Sequence, residues 1–189
     1  MRCEIRERDG GKNVEIIELP AYAGTDVTGA DVGGNYIGSF ADIETGKVIG
    51  KALIAEDVDV IFTAAGTAGS GVLAAVKEAD DVWYIGCDID QYDDGVDGDR
   101  NVMLTSAIKV MHRDVERTLN AISVGFFGGG NVTLQADTGS TGYVSTEGRN
   151  QLSAGTIEKI DAAYELLILG DIVPAANFNG ITPENFTWK

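Results

Sequence analysis

Two short groups of residues in the middle of the chain have types and spacing that could do chemistry. Gly66-Thr-Ala-Gly-Ser-Gly71 follows an apolar run and precedes residues with helical spacing, and Asp88-x-Asp90 follows a second apolar run. Backbone N–H groups at a helix N-terminus hold anions or polar ligands, and glycine allows close approach. Carboxylates at a strand end accept hydrogen bonds from sugar hydroxyls, coordinate a hard cation or accept a phosphoryl group. Because ligands collect beyond the carboxyl ends of parallel strands, both groups are candidate site residues.

Each candidate also has an alternative without a ligand. The glycine segment lacks the G-x-G-x-x-G dinucleotide pattern and the Gly-Lys-Ser/Thr of a phosphate loop, so a tight strand-to-helix turn is an equal alternative. Strand-end aspartates are often loop caps, and cation or phosphoryl chemistry at Asp88 and Asp90 would need further partners. Lys109 is predicted just inside a helix, where most lysines face solvent. Tyr36 and Phe40 are either core residues or a stacking platform for a flat ligand.

The composition limits the class of protein. The chain has 189 residues, 44% of them apolar, and a net charge of −16. This length suits one domain or a small two-lobed one. The acidity opposes binding to nucleic acid or to an anionic membrane surface, because the phosphates would be repelled. An aspartate-rich surface also fits a high-salt environment, which makes a halophilic source a hypothesis. No apolar run approaches the ~18 residues of a membrane helix, and no secretory signal is recognisable.

Cysteine and histidine are too few for the usual metal and nucleophile schemes. Cys3 and Cys87 are the only cysteines, and His112 is the only histidine. No structural disulfide is expected, no cysteine spacing suits a metal, and most multi-histidine sites and Ser-His-Asp triads are excluded. The sequence therefore predicts no cofactor and no metal.

Alternating strand-like and helix-like segments predict an α/β fold with a Rossmann-like parallel sheet and flanking helices. Strands are predicted at residues 14–19, 58–62 (buried on both faces), 82–87, 101–106 and 132–136. Helices are predicted at residues 43–56 (capped by Asp42), 72–77, 107–123 and 151–169. Loops are predicted at residues 21–34 and 137–149.

Five segments share a pattern when they are taken together. They are Asn35-Tyr-Ile-Gly-Ser-Phe-Ala-Asp-Ile-Glu-Thr-Gly-Lys47, Asp59-Val-Ile-Phe-Thr-Ala-Ala-Gly-Thr-Ala-Gly-Ser-Gly-Val72, Ile85-Gly-Cys-Asp-Ile-Asp-Gln91, Leu104-Thr-Ser-Ala-Ile-Lys109 and Gly170-Asp-Ile-Val-Pro174. Their content and order resemble the basic-membrane-protein (BMP) family, substrate-binding lipoproteins of ABC transporters, several of which bind purine nucleosides. Any one block would be a weak signal, but five in the right order form a specific one.

The resemblance implies a type I periplasmic-binding-protein fold, in which two α/β lobes joined by hinge crossings hold a ligand between them. It implies a substrate-binding component of an ABC transporter, with a nucleoside-like ligand, a permease partner and, for the full-length family, an extracytoplasmic, lipid-anchored location. Carried over block by block, Phe40 would stack on the base, and Gly66 and Thr67 would line the cleft. Asp88 would accept hydrogen bonds from ribose hydroxyls, and Lys109 would lie at the hinge near the ligand. None of these residues would cleave or transfer a group.

Features that family members have and that are not found in this sequence predict that the chain is incomplete. Family members are longer and carry a signal peptide, a lipid-bearing cysteine and a first lobe. The resemblance therefore implies a fragment truncated at its N-terminus. Residues 1–106 would form an incomplete second lobe, and residues 107–189 the hinge return and a segment that would pack on the missing lobe. We expect weak ligand binding, and self-association through an exposed sheet edge and the poorly covered residues 107–127.

Two alternatives remain open. The chain could be a small Rossmann-like enzyme that uses Asp88 and Asp90 for phosphoryl or metal chemistry, or it could be a non-binding remnant or regulatory domain. No catalytic lysine–acid pair lies at a recognised spacing, and no helix-turn-helix motif is present. Both observations favour the binding protein, for which no enzymatic activity is expected.

Overall fold

The structure is a computed structural model of the chain, and it describes residues 15–25, 31–126 and 128–172. This part of the chain divides into two compact units. The first holds the described part of residues 15–61 and Ala65–Val82, and the second holds Phe62–Ala64 and residues 83–172. Strands and helices together confirm the predicted α/β class. The lobe boundary predicted at residue 106 is not tested by this division and stays a prediction.

Two helices dominate the first unit. Its elements are a 3-10 turn at Pro20–Tyr22, the antiparallel strands β1 (Ala23–Thr25) and β2 (Asp31–Asn35), helix α1 (Ile43–Ile54), the start of strand β3 (Val60–Phe62), a 3-10 turn at Gly66–Ala68 and helix α2 (Gly69–Lys77). The predicted cap of α1 is confirmed, because Asp42 Oδ1 accepts a hydrogen bond from the Thr45 N–H at 3.0 Å.

Glycines let α1 and α2 approach each other closely. A Cβ atom at Gly71 would collide with the carbonyl oxygen of Ile43, and one at Gly46 would collide with that of Ala68. Apolar side chains of both helices are buried, among them Ile49, Leu53, Val72 and Val76. At least one glycine of the 66–71 segment therefore serves helix packing.

The second unit is organised around a sheet. Its elements are the strands β4 (Trp83–Asp88), β5 (Val96–Asp97), β6 (Arg100–Asn101), β7 (Met103–Lys109) and β8 (Thr141–Tyr143), with helices α3 (Met111–Ser123) and α4 (Ala154–Ile168). The four-stranded sheet has the order β3-β4-β7-β8, and β3 enters this unit at Phe62. Strands β4 and β7 are parallel, and β8 runs antiparallel to β7. Tyr84 and Met103 are fully buried.

The strand predicted at residues 14–19 is wrong for the part that the structure describes, residues 15–19. The Asn35 side chain binds the backbone there instead: the Leu19 N–H donates to Asn35 Oδ1 at 2.8 Å, and Asn35 Nδ2 donates to the Ile17 carbonyl at 3.2 Å. Pro20 then begins a 3-10 turn. The loop predicted at residues 21–34 is also wrong for much of its described part, since β1 and most of β2 lie within it, and residues 26–30 lie outside the described residues.

Strand β7 extends beyond its predicted end. Residues 107–109 were predicted as the first turn of a helix, but Ala107 pairs with Cys87 on one side and with Tyr143 on the other. Pairing on both sides keeps the backbone extended, so α3 begins only at Met111. Helical spacing of apolar residues does not reveal this, because strand pairing overrides the local pattern.

Two further strand predictions need correction. Residues 132–136 form no strand, and Thr141–Tyr143 pairs with β7 instead. Hydrogen bonds from the Val110 N–H to the Ser140 carbonyl (2.8 Å) and from the Val144 N–H to the Ser106 carbonyl (2.9 Å) flank this pairing. Strand β3 is not buried on both faces, since its side chains alternate between exposed and buried.

The apolar face of α3 is exposed. Within this helix no residue is buried, and the exposed apolar side chains are Met111, Val115, Leu119 and Ile122. The expectation that little covers residues 107–127 therefore agrees with the structure for α3, whereas Ala107 and Ile108 are half-buried in β7 and Phe127 lies outside the described residues. Self-association stays a prediction. Among the described residues, no helix is long and apolar enough to cross a membrane. The prediction of α4 is confirmed, with Ser153 accepting a hydrogen bond from the Thr156 N–H.

Candidate functional site

Asp88 and Lys109 form an ion pair at one edge of the sheet. Asp88 is the last residue of β4, and Lys109 is the last residue of β7. The two strands are parallel neighbours, so their carboxyl ends meet at the same edge. Lys109 Nζ lies 2.6 Å from Asp88 Oδ1, and the side chains are 64% and 42% exposed. The pair is therefore open to solvent, and Lys109 lies at a strand end rather than in the predicted helix.

The pairing fixes the charge states at this edge. The hydrogen bond from Lys109 lowers the pKa of Asp88 below its ordinary value, and the same contact raises the pKa of Lys109. Burial raises the pKa of the Cys87 thiol, and the Asp88 charge adds to this effect. A carboxylate, an ammonium group and a neutral thiol therefore coexist at neutral pH. The carboxylate accepts hydrogen bonds and the ammonium donates them, which suits a hydroxyl-bearing ligand.

Two hydrogen bonds of Gln91 link strands β4 and β7 next to Asp88. Gln91 Oε1 accepts a hydrogen bond from the Cys87 N–H at 3.0 Å, and the Gln91 N–H donates to Ser106 Oγ at 3.1 Å. A Cβ atom at Gly86 would lie 2.6 Å from Gln91 Oε1 and 2.7 Å from Ser106 Oγ, so a side chain at this position would displace one or both of these groups. Sequence reasoning named neither Gln91 nor Ser106 as a site residue, although both lie in the matching segments.

Asp90 has a cationic partner of its own, Arg149. Arg149 Nε lies 2.5 Å from Asp90 Oδ2 and lowers the pKa of that carboxyl, and the Tyr92 N–H donates to Asp90 Oδ1 at 3.0 Å. Arg149 also pairs with Asp93 and lies over the Tyr92 ring, 5.5 Å from its centroid. The contacts of Asp90 thus stabilise the loop that follows β4. No sequence pattern links it to Arg149, and in the described parts of the chain no three His, Cys, Asp or Glu side chains could hold a metal ion.

The remaining candidates lie in the first unit, around the 3-10 turn at Gly66–Ala68. The Ala68 N–H donates to the Phe40 carbonyl at 3.0 Å. Gly66 has a φ of +55°, and a Cβ atom there would lie 3.3 Å from the Phe40 carbonyl oxygen. Phe40 is 76% exposed, so it is not a core residue, and Thr67 is exposed as well. The structure thus brings Phe40 and Gly66 together in one unit, and Asp88 and Lys109 together in the other.

Comparison with known proteins identifies the family. The family model for the PnrA-like ABC transporter substrate-binding proteins (Bmp) matches residues 28–175. The chain is 34% identical over 155 residues to the CD4+ T-cell-stimulating antigen of Listeria monocytogenes, covering 76% of this chain and 43% of that protein. It is 36% identical over 109 residues to the ABC transporter nucleoside-binding protein BmpA of Lactococcus lactis, covering 51% and 31%. The chain thus spans less than half the length of these curated relatives.

Solved structures support the fold. A solute-binding protein of an ABC transporter system from Aeropyrum pernix matches with a TM-score of 0.61 and 21% identity, covering 76% of this chain and 47% of that one. A transcriptional activator of the comK gene from Bacillus halodurans matches with a TM-score of 0.64 and 21% identity, covering 74% and 47%. At this identity the likeness shows the periplasmic-binding-protein-like fold alone, because one fold serves several functions.

The family match rests on the same stretch from which the sequence resemblance was drawn. It covers most of the chain and includes the segments that carry Phe40, Gly66, Asp88 and Lys109. The roles of those residues in binding stay predictions. The chain belongs to the PnrA-like (Bmp) family of ABC transporter substrate-binding proteins.

Proposed function

We propose that this protein binds a nucleoside, or a similar uncharged and hydroxyl-rich small molecule, for delivery to an ABC transporter. The observation that carries the proposal is the Asp88–Lys109 ion pair, an exposed carboxylate and ammonium group at the carboxyl ends of two parallel strands. In parallel α/β sheets this is where ligands collect. One relative, from Lactococcus lactis, is named as a nucleoside-binding protein.

The pair has the chemistry that a sugar requires. Asp88 accepts hydrogen bonds from ribose hydroxyls, and Lys109 holds the carboxylate charged and donates to a ligand oxygen. In the same proposal, the exposed ring of Phe40 stacks on the base, and Gly66 and Thr67 contribute backbone and hydroxyl groups. A permease is the proposed protein partner, and an extracytoplasmic location is proposed with it.

Binding accounts for these residues better than catalysis does. An enzyme that used Asp88 and Asp90 together would need both carboxylates directed at one metal or phosphoryl group. Asp90 instead pairs with Arg149 and accepts the Tyr92 N–H, which leaves Asp88 with Lys109 as its charged partner. The family to which the chain belongs is one of substrate-binding proteins.

Isothermal titration calorimetry with adenosine, guanosine and inosine tests the proposal. Asp88→Asn keeps the shape of the side chain and removes its charge, so it is the informative variant. Asp97→Asn is the matched control, because Asp97 also pairs with a cation, Arg100 at 3.2 Å, and is similarly exposed at 45%.

The expected result is binding of at least one nucleoside by the wild-type protein and by Asp97→Asn. Affinity should fall at least tenfold in Asp88→Asn, because a hydrogen bond to a charged group contributes about 1.5–3 kcal/mol. Equal affinity in all three proteins would remove Asp88 from the site. No heat with any of the three nucleosides would contradict the proposed ligand class.

A further inference from the structure

The backbone at Asp88 adopts a conformation that is uncommon for residues other than glycine. Asp88 has a φ of +74°, and the Ile89 N–H donates to the Cys87 carbonyl at 3.0 Å. These features define a three-residue turn centred on Asp88, and the positive-φ form of this turn is rare and strained. Such a conformation persists only where the surroundings hold it, and it clusters at ligand-binding positions.

Gln91 supplies the restraint. Its Oε1 accepts the hydrogen bond of the Cys87 N–H, immediately before Asp88, and its own N–H donates to Ser106 Oγ. Cys87 lies on β4 and Ser106 lies on β7, the strands that end in Asp88 and Lys109. One residue thus fastens together the two strand ends whose side chains form the ion pair.

The half-buried Gln91 side chain packs closely against Gly86. A Cβ atom at Gly86 would lie 2.6 Å from Gln91 Oε1, so a larger residue there would displace the Gln91 side chain. Ser106, which accepts the Gln91 N–H, is 1% exposed. On its other side, Gln91 Nε2 is 3.4 Å from Asp94 Oδ2, so a donor faces Asp94 and an acceptor faces Cys87. A neutral amide satisfies both neighbours, whereas a lone carboxylate would be repelled by Asp94.

We propose that Gln91 is a positioning residue for ligand binding: it holds the strained turn that presents Asp88 to Lys109 and to the ligand. This inference rests on the proposed function and deepens it, because it adds a residue that acts through Asp88 without touching the ligand. Ser106 is its anchor on the neighbouring strand.

Two readouts on the variant Gln91→Ala test the inference. Nucleoside affinity, measured by calorimetry, should weaken about tenfold, the loss that accompanies removal of about one hydrogen bond in the site. In the ligand-free protein, carboxyl ¹³C NMR should show the pKa of Asp88 rising toward its ordinary value as the contact with Lys109 loosens. The titratable groups that face Asp88 are Cys87 and Lys109, and both are retained.

The matched control is Arg149→Ala. This variant removes the ion pairs from Arg149 to Asp90 and Asp93, which lie in the same loop as Gln91. It leaves the hydrogen bonds among Cys87, Gln91 and Ser106 in place. It should leave both the affinity and the pKa of Asp88 unchanged. Equal effects of Gln91→Ala and Arg149→Ala on these readouts would overturn the inference, because they would indicate general loosening of the loop.

A rescue variant separates positioning from folding. The double variant Gln91→Glu with Asp94→Asn keeps an oxygen at position 91 that accepts the Cys87 N–H. It reverses the contact with position 94, because the amide introduced there donates to the carboxylate introduced at position 91. It should restore the affinity, and failure to restore it would count against the inference. The pKa of Asp88 is not compared in this variant, because the carboxylate introduced at position 91 would itself raise it.

Ser106→Ala removes the anchor of the Gln91 N–H and a long contact of the same hydroxyl with Met103 Sδ. It should show the same two changes as Gln91→Ala, a weaker affinity and a higher pKa of Asp88, to a smaller extent. It keeps the test decisive where Gln91→Ala does not fold.

The two proposals fail in different ways. If the wild-type protein binds none of the three nucleosides, the proposed ligand class falls while the pKa of Asp88 still tests the turn. If the nucleosides bind and Gln91→Ala changes neither affinity nor the pKa of Asp88, the ligand proposal stands and the positioning role of Gln91 is wrong.

Discussion

Lys109 Nζ lies 2.6 Å from Asp88 Oδ1, across the ends of two parallel strands. Asp88 belongs to the segment Ile85–Gln91 and Lys109 to the segment Leu104–Lys109, two of the segments on which the family resemblance rests. The same segments contribute Gln91 and Ser106, which are hydrogen-bonded to each other behind the pair. Two stretches that are separate in the sequence are therefore parts of one sheet edge.

The first prediction concerns the effect of pH on stability. The pKa of Asp88 is lowered in the folded protein by the hydrogen bond from Lys109, so its contribution is present above the ordinary aspartate pKa and is lost as the pH falls through the lowered value. The effect is small because the pair is exposed. Asp88→Asn should lower the melting temperature slightly at neutral pH and not at strongly acidic pH. A larger effect in acid than at neutral pH, in thermal melts followed by circular dichroism, would contradict this.

The second prediction concerns the contact between α1 and α2. Gly71→Ala should destabilise the protein by about 1–3 kcal/mol, because the new methyl group collides with the Ile43 carbonyl oxygen. Gly155→Ala in α4 is the control, since nothing lies within 4 Å of the added Cβ atom. It should leave the free energy of unfolding unchanged or raise it by up to about 1 kcal/mol. Urea unfolding measures both, and equal behaviour of the two variants would be inconsistent with the close helix contact.

The third prediction concerns Tyr143. Burial, and then the hydrogen bond to Asp161 Oδ1 at 2.7 Å, raise the pKa of this phenol to about 12. Its contribution to stability is therefore complete below the ordinary tyrosine pKa and is lost as the pH rises through about 12. Burial also raises the pKa of Tyr84, so NMR of ring-labelled tyrosine should show more than one late-titrating signal. One of these signals should disappear in Tyr143→Phe and move to lower pH in Asp161→Asn. An unshifted signal in Asp161→Asn would exclude that hydrogen bond as a cause.

The fourth prediction concerns the exposed face of α3. Leu119 is 60% exposed, whereas Leu73 of α2 is 7% exposed. Leu119→Ala should change the free energy of unfolding by no more than about 0.5 kcal/mol, and Leu73→Ala should cost about 2–5 kcal/mol. If the face mediates self-association, as the sequence predicts, Leu119→Glu should reduce it in multi-angle light scattering. A large loss of stability in Leu119→Ala would show that the helix face is covered.

Much of the fold could be predicted from local pattern. Asp42 as the cap of α1, the continuous apolar run of β4 and the final helix were all found, because each depends on residues adjacent in the sequence. The errors arose where a distant partner decides the structure. Residues 107–109 have helical spacing, yet pairing with β4 and β8 keeps them in a strand. Residues 15–19 have strand spacing, yet the Asn35 side chain takes up their backbone groups.

The candidate site was also predictable only where a local pattern specifies it, and not where a distant partner does. Asp88 could be chosen from the sequence because a carboxylate follows an apolar strand. Lys109 was named through the family resemblance, but its ion pair with Asp88 could not be foreseen, because the residue was predicted in a helix and lies at the end of β7. Gln91 carries no signal by residue type, and only the hydrogen bonds to Cys87 and Ser106 reveal its position behind Asp88. Asp90 was named from the sequence, but its ion pair with Arg149 was beyond prediction, because no local pattern specifies a contact between distant loops.

The most direct test of the central claim, that Asp88 binds the hydroxyl groups of an uncharged sugar, compares a nucleoside with its 2′,3′-dideoxy analogue. Calorimetry with adenosine and 2′,3′-dideoxyadenosine, or with the corresponding pair for whichever base binds best, keeps the base constant and removes only the hydroxyls. We expect the dideoxy analogue to bind at least tenfold more weakly to the wild-type protein, because it leaves a polar site unpaired. The difference should largely vanish in Asp88→Asn. Equal affinity of the wild-type protein for both compounds would contradict the account.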